Sequence, residues 1–249
     1  MRAVVFGVLG VSALALGACM PHVNVDTVEA SSLGGKPLPA LARLDCPQRE
    51  GALTRTAQAA DGQSCAYDNG AGETVQLRLV ALDGRSPQAA LADAKAELQA
   101  LRPVRTRAVR PIRDDEPGER TNLDLPFFHV HEAGGRSDVR IFGVHVRGDG
   151  DAADIKTNLG RKHTVVHAGP EGAEVIAEDV DRRNASLVYV LASDRRSGSP
   201  YRAVGYIAKG PVTGPLVVAE FRATDGRHFD SDRGDHGDVG RLVDRNLRD

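Results

Sequence analysis

The chain of 249 residues contains no tryptophan and few other aromatic residues, with six phenylalanines and four tyrosines. A surface that stacks bases or sugar rings needs more aromatic side chains, so a stacking platform is not expected. An excess of charge of one sign is also missing, because 32 basic residues are balanced by 34 acidic ones. Nucleic-acid binding needs a concentrated positive surface, and the composition therefore gives no reason to expect a nucleic-acid partner.

Motifs typical of common enzyme classes are missing as well. The sequence contains no G-x-S-x-G, S-x-x-K or H-E-x-x-H motif, no Walker A loop and no G-x-G-x-x-G motif. Catalytic groups need not be close in sequence, so an enzyme of another class stays open. No residue is predicted to be catalytic, and no cofactor is expected.

Long apolar runs are limited to the N-terminus. Residues 3–16 form an apolar run of about 14 residues after the single charge of Arg2. This run is too short to span a bilayer as a helix and is typical of the hydrophobic part of a signal peptide. After residue 18 no run reaches membrane length.

The residues that follow, Leu16-Gly17-Ala18-Cys19, resemble the lipobox of bacterial lipoproteins. The resemblance covers only the end of the signal. It implies diacylation of the Cys19 thiol, cleavage before Cys19 and acylation of the new N-terminus. Several acyl chains, at about 0.8 kcal/mol per buried CH2, hold a protein at a membrane without a spanning helix. An ordinary signal peptide cleaved after Ala18 is the other interpretation.

The residue after the lipobox cysteine bears on location. In lipoproteins an aspartate there commonly implies retention in the inner membrane, and this chain has Met20 instead. The resemblance therefore implies the periplasmic face of the outer membrane, with the periplasmic face of the inner membrane as the alternative.

Cysteine is scarce, with three in the chain. If Cys19 carries lipid, Cys46 and Cys65 remain, and an even remainder in an oxidising envelope compartment indicates a structural disulfide. Without a further cysteine or a neighbouring histidine, these two thiols are a poor zinc site. They also do not form a C-x-x-C redox pair.

The composition divides the chain into five stretches. A signal peptide is followed by a lipid-anchored flexible tether and by a small disulfide-containing unit of strand and helix. A charged, proline-rich linker comes next, which we interpret as solvated because its basic and acidic blocks partly neutralise each other. The last stretch is a β-rich body with a C-terminal helix. The ranges are 1–18, 19–43, 44–101, 102–120 and 121–249, respectively.

Apolar patterns predict mostly antiparallel β-sheet, and together with two amphipathic helices they give the fold class α+β. Residues 73–82 alternate as a half-buried strand, and residues 185–192 are continuously apolar, as in a strand covered on both faces. Residues 125–140 align weakly with residues 141–156 at a shift of 16. This weak repeat predicts hairpins in a meander, with a short stack of β coils as the alternative.

The first predicted helix has recognisable ends. Ser86 and Pro87 are typical of an N-cap and a first helical position, and Pro103 ends the helix. Its apolar stripe consists of Leu91, Ala94, Leu98 and Leu101.

The second predicted helix lies at the C-terminus. Asp235 or Asp238 is expected to cap it. Its apolar residues, at helical spacing, are Val239, Leu242, Val243 and Leu247, and its exposed side carries Arg241, Arg245 and Arg248.

Three histidines are the candidates for a metal site. His129 and His131 are two residues apart along a predicted strand and so share a face. His145 aligns with His129 in the next repeat. The other interpretation is a solvent-facing row on a half-buried sheet, since the residues between them are apolar and no carboxylate is placed to complete a zinc site.

The sequence thus predicts a lipid-anchored, periplasm-facing envelope protein that is held to the membrane through Cys19. Its body is expected to be a structural or binding module, with an envelope protein or a glycan as the kind of partner. The alternative is a metal-dependent envelope enzyme that uses His129, His131 and His145.

Overall fold

The computed structural model describes residues 36–104, 120–125, 128–133, 136–141, 144–149, 152–169, 171–193, 198–224 and 237–248, without the side chains of residues 120–144 and 159. The predicted signal peptide and Cys19 lie outside these ranges, as do most of the predicted tether and linker. No helix within them is long and apolar enough to cross a membrane.

In the described part of the chain, fourteen strands form one antiparallel sheet. The mostly antiparallel β-sheet predicted from the sequence is therefore confirmed. The strands are β1 (Arg49–Glu50), β2 (Leu53–Gln58), β3 (Ser64–Asp68), β4 (Glu73–Val80), β5 (Arg120–Leu125), β6 (Phe128–Ala133), β7 (Arg136–Ile141), β8 (Val144–Asp149), β9 (Ala152–Leu159), β10 (Lys162–Gly169), β11 (Gly172–Val180), β12 (Asn184–Ala192), β13 (Ala203–Pro211) and β14 (Leu216–Ala223). The helices are α1 (Pro87–Ala90), α2 (Ala92–Leu101) and α3 (Asp238–Asn246).

The order of strands in the sheet departs from chain order at one place. Strands β5 to β14 follow one another as a meander, and β4, β3, β2 and β1 continue from β14 in reverse order. At the junction β4 pairs with β14, so that Val80 lies opposite Leu216 and Glu73 opposite Ala223. The stretch 44–101 and the stretch 121–249 therefore contribute to the same sheet.

The central strands are covered on both faces. On the first, which we call the α2 face, Leu98 of α2 packs in one cluster with Tyr189 of β12. On the second, the α3 face, Leu242 of α3 packs in one cluster with Phe221 of β14. Strands β12, β13 and β14 are buried along almost their whole length, because their near-continuous apolar sequence supplies both faces.

The first predicted helix is present but is divided in two. The Ala89 N–H donates to Ser86 Oγ at 3.2 Å, so Ser86 is the predicted N-cap. Leu91, with φ −99° and ψ 3°, separates α1 from α2. The buried stripe includes Leu91 and Leu98, whereas the exposed side of α2 carries three alanines. The helix is thus less amphipathic than predicted.

The C-terminal helix is present, but Asp238 is not its cap. Gly237 is the N-cap, no side chain of a described residue caps the helix, and Asp238 is the first helical residue. The Asp238 carboxylate accepts a hydrogen bond from the Ala52 N–H at 2.6 Å and pairs with Arg241. Asp238 therefore joins α3 to the turn between β1 and β2, and Asp235 lies outside the described residues.

Residues 36–44, which we call the docked segment, are attached to the body although most of them belong to the predicted tether. The Leu38 N–H donates to Asn184 Oδ1 at 2.7 Å, and Asn184 Nδ2 donates to the Lys36 carbonyl at 2.8 Å. The Leu44 N–H donates to the Gly62 carbonyl at 2.8 Å. From Lys36 onward the chain is held against the sheet.

The hairpins of the meander recur at a constant spacing. Strands β6 and β8 begin at Phe128 and Val144, and strands β7 and β9 begin at Arg136 and Ala152. Both intervals match the shift of the predicted repeat. The agreement concerns strand positions, and the sequence repeat itself stays a prediction.

Cys46 and Cys65 form a disulfide, with their Cα atoms 6.3 Å apart. Both residues are buried in the cluster on the α3 face. The bond joins the chain that leaves the docked segment to strand β3, and it is the pairing that the cysteine count predicted.

We expect the double variant Cys46→Ser/Cys65→Ser to have a free energy of unfolding about 3 kcal/mol lower than that of the unsubstituted protein. The reason is that the disulfide reduces the conformational entropy of the unfolded chain. Urea denaturation of both proteins measures this difference. A reducing agent serves as the control, since it should destabilise only the protein with the disulfide. Equal free energies of unfolding for the two proteins in the absence of the reducing agent would contradict the expectation.

Candidate binding site

The predicted histidine site is divided between two strands, β6 and β8, which are separated by β7. His129 of β6 and His145 of β8 each pair with Arg140 of β7, one from each side. Two strand spacings, or about 10 Å, therefore separate their backbones. The side chains of His129 and His131 lie outside the description, so the metal site stays a prediction.

His145 has a described contact. Arg147 Nε donates to His145 Nε2 at 3.2 Å, which occupies the lone pair that a metal ion would need at this nitrogen. Among the described residues, no group of three or more histidine, cysteine or acidic side chains is placed to hold a metal ion.

A polar network lies on the α2 face, at the edge of α2. Tyr189 Oη donates to Glu174 Oε1 at 2.9 Å, and Lys95 Nζ lies 3.9 Å from the same oxygen and 4.7 Å from the centre of the Tyr189 ring. Burial, together with the nearby Glu174 carboxylate, raises the pKa of Tyr189. Because Lys95 belongs to α2 while Glu174 and Tyr189 belong to the sheet, this network fastens the helix to the sheet.

His167 and Asp154 form a second pair beside this network. Their Nδ1 and Oδ1 atoms are 2.7 Å apart, and Asp154, His167 and Glu174 lie opposite one another on β9, β10 and β11. An aspartate that orients a histidine is one part of a catalytic triad, but the cross-strand neighbours supply no nucleophile. We interpret the pair as part of a polar sheet surface.

A charged cavity lies between α3 and β1, and we call it the arginine notch. It has a volume of about 320 Å³ and is lined by Asp45, Glu50, Arg241, Arg245 and Arg248. Its volume is within the range of small-ligand pockets.

Glu50 is the central group of the arginine notch. Its Oε1 accepts from Arg241 Nε at 3.3 Å, and its Oε2 accepts from Arg245 Nε at 3.0 Å and Nη2 at 2.9 Å. The Glu50 side chain is only 11 % exposed, whereas that of Arg245 is 46 % exposed. The mostly buried carboxylate thus orients two guanidinium groups, whose outer sides stay in contact with solvent.

The rim of the arginine notch carries charges that are engaged weakly or not at all. Asp45 is 64 % exposed, and its Oδ2 is 3.9 Å from Arg245 Nη1. Arg248 is exposed and makes no ion pair with a described residue. The lining has three arginines and two acids, and Asp238 outside the lining also pairs with Arg241, so Arg248 is the cation of the lining that stays unpaired among the described residues.

Tyr67 of β3 lies next to the same charges. Its ring is buried, with 1 % of the residue exposed, and its hydroxyl has no hydrogen-bond partner among the described residues. Burial raises the pKa of Tyr67 to about 12, and Arg55, Asp45, Glu50 and Arg245 act on the same hydroxyl by their charges. Tyr67 does not line the cavity, so its buried hydroxyl is a neighbour of the arginine notch and not a part of it.

The arginine notch was not visible as a unit in the sequence. The sequence predicts Arg241, Arg245 and Arg248 on one exposed side of the C-terminal helix. In the structure Arg248 follows the end of α3, and Arg241 is only partly exposed because it pairs with Glu50. Glu50 and Tyr67 carry no local signal, because they lie in short strands far from α3 in the chain. Asn184 likewise has no pattern that indicates its contact with the docked segment.

Comparisons of the chain with protein-family models, with curated proteins and with solved structures find no significant match.

Two matched variants should separate the roles of the buried tyrosines. We expect Tyr189→Phe to lower the free energy of unfolding by about 1–2 kcal/mol, because Glu174 loses its hydrogen bond. Tyr67→Phe should change it by less than about 0.5 kcal/mol or raise it, because the lost hydroxyl has no described partner.

Chemical denaturation of the two variants and of the unsubstituted protein checks this difference. A loss in Tyr67→Phe as large as that in Tyr189→Phe would show that the Tyr67 hydroxyl is already satisfied.

Proposed function

We propose that this protein is a lipid-anchored envelope protein on the periplasmic face of the outer membrane, and that its folded body is a binding module. The anchor is the acylated Cys19. The arginine notch is the binding site, and it accepts a small organic anion that carries a carboxylate or a phosphate group. Such a group is found both in free metabolites and at the ends of envelope peptides and glycans.

The disulfide supports the location. It uses Cys46 and Cys65 and is buried, as in proteins that fold in an oxidising compartment. Cys19 is then the one cysteine outside the pair. Its position at the end of the lipobox-like residues favours acylation rather than a free thiol.

The arginine notch supports the binding role, and its arrangement is the observation that carries the proposal. Glu50 holds Arg241 and Arg245 from the buried side, so these guanidinium groups are positioned before a ligand arrives. The exposed Arg248 supplies the extra positive charge, and planar guanidinium groups match carboxylate and phosphate oxygens.

Mass spectrometry of the mature protein from envelope membranes tests the anchor. We expect an N-terminal peptide that begins at Cys19 and carries the mass of two or three acyl chains. The variant Cys19→Ala should lack this modification and should not be processed before residue 19. An unmodified N-terminus, or a chain that begins at Cys19 with a free thiol, would refute the anchor.

Titration of the full mature protein with acetate, succinate and inorganic phosphate tests the arginine notch. We expect at least one probe to shift the Nε–Hε resonances of Arg245 and Arg248 in a saturable way. Arg248→Ala should weaken the binding roughly 10-fold or more, because one charge-assisted hydrogen bond is lost.

Arg49→Ala is the matched control, since Arg49 is an exposed arginine of β1 outside the lining. It should bind the probe like the unsubstituted protein. Absence of a saturable shift, or equal weakening in both variants, would refute the arginine notch as the binding site.

A further inference from the structure

Several turns lie together at the end of the sheet where the docked segment is attached. In an antiparallel meander alternate turns fall at the same end, and Leu38 is bonded to Asn184 at the start of β12. We call this the basic end. It consists of the docked segment, residues 36–44, and the turns 59–63, 81–86, 160–161, 181–183 and 212–215.

The basic end carries an excess of positive charge. Its acidic residues are Asp61, Asp83 and Asp181. Its basic residues, all of them exposed, are Lys36, Arg43, Arg85, Arg161, Arg182 and Arg183. The excess is therefore three charges on one end of a chain whose overall charge is slightly negative.

Half of these basic side chains are not engaged by neighbouring acids. Arg161 Nη1 lies 3.1 Å from Asp181 Oδ2, and Arg85 lies close to Asp83. In contrast, the described residues provide no ion pair for Lys36, Arg43 and Arg182. These three cations point to an external anionic partner.

In its described part, the opposite end of the sheet carries far fewer charged residues and no excess of positive charge. The turns 51–52, 69–72 and 198–202, together with residue 171, contain one acid, Glu171, and one base, Arg202. The described charge of the fold is therefore asymmetric along the strand direction.

The chain that leads to Cys19 leaves the body at the basic end. Residues 20–35 separate Cys19 from the docked segment, and even fully extended they span at most about 55 Å. A bilayer that holds acyl chains at Cys19 is thus kept within reach of the basic end. The tether raises the effective concentration of the basic end at the bilayer surface and so favours contact between the two.

We propose that the basic end is a membrane-facing surface that binds the anionic phospholipid headgroups of the bilayer holding the anchor. This inference rests on the proposed lipid anchor for its reach. Positive side chains close to an anionic bilayer each contribute to binding, and the contribution falls with ionic strength. The body is then oriented with the strands directed away from the bilayer.

The absence of tryptophan allows a direct measurement of this orientation. Thr213→Trp places a single indole at the basic end, and Ala71→Trp places one at the opposite end. The acylated full-length mature proteins are reconstituted into phosphatidylglycerol or phosphatidylcholine vesicles that contain a headgroup spin label. The label quenches tryptophan fluorescence at the bilayer surface.

We expect strong quenching of Thr213→Trp in phosphatidylglycerol, at least threefold weaker quenching in phosphatidylcholine, and little quenching of Ala71→Trp in either. Adding Arg43→Glu/Arg182→Glu to Thr213→Trp should remove most of the difference in quenching between phosphatidylglycerol and phosphatidylcholine. The matched control, Arg49→Glu/Lys156→Glu, makes the same charge change at exposed sites outside the basic end and should keep it. Equal quenching at both ends, or no effect of lipid charge, would overturn the proposal.

A failure of the anchor is distinguishable from a failure of the surface. If mass spectrometry finds no acyl chain, the unacylated mature protein is tested by flotation with the same vesicles. Flotation with phosphatidylglycerol that Arg43→Glu/Arg182→Glu reduces roughly tenfold supports the surface. Flotation that is absent, or unchanged by this double variant, overturns it.

Discussion

The pairing of β4 with β14 is the constraint on which the rest of the structure depends. Along this ladder Val75 lies opposite Phe221 and Leu77 opposite Ala219, and all four residues are buried on the α3 face. Without β4, strand β14 would expose both its apolar faces at an edge and a row of backbone hydrogen-bonding groups. The pairing therefore joins the disulfide-containing stretch to the meander and creates the surface on which α3 packs.

The packing of α3 positions the charged groups of the arginine notch. Leu242 and Val243 are buried against the sheet, so the opposite side of the helix presents Arg241 and Arg245 to β1. Glu50 of this short strand then pairs with both arginines. A buried carboxylate requires such partners, because a charge taken out of water without them is costly. Apolar packing and the charged cavity thus depend on the same helix.

Local patterns predicted the elements of the fold better than their arrangement. The alternation in residues 73–82 and the apolar run in residues 185–192 correspond to β4 and β12, and Ser86 caps a helix as expected. The partner of β4 was not predictable in this way, because strand pairing over more than 130 residues leaves no local signal. The Asp238 cap failed for a related reason, since its carboxylate binds Ala52 across the fold. The arginine notch combines residues from two distant stretches, 45–50 and 241–248, and only its arginines have a periodic pattern.

The attachment of the docked segment determines how the body responds to tension. A pull applied at Lys36 first loads the two hydrogen bonds to Asn184, one at the Lys36 carbonyl and one at the Leu38 N–H. After these bonds break, the load passes to Leu44 at the Gly62 carbonyl and then to the covalent link between Cys46 and β3. The noncovalent contacts therefore break first. The disulfide then transmits the force directly to β3, so residues 47–64, which include β1 and β2, are not extended.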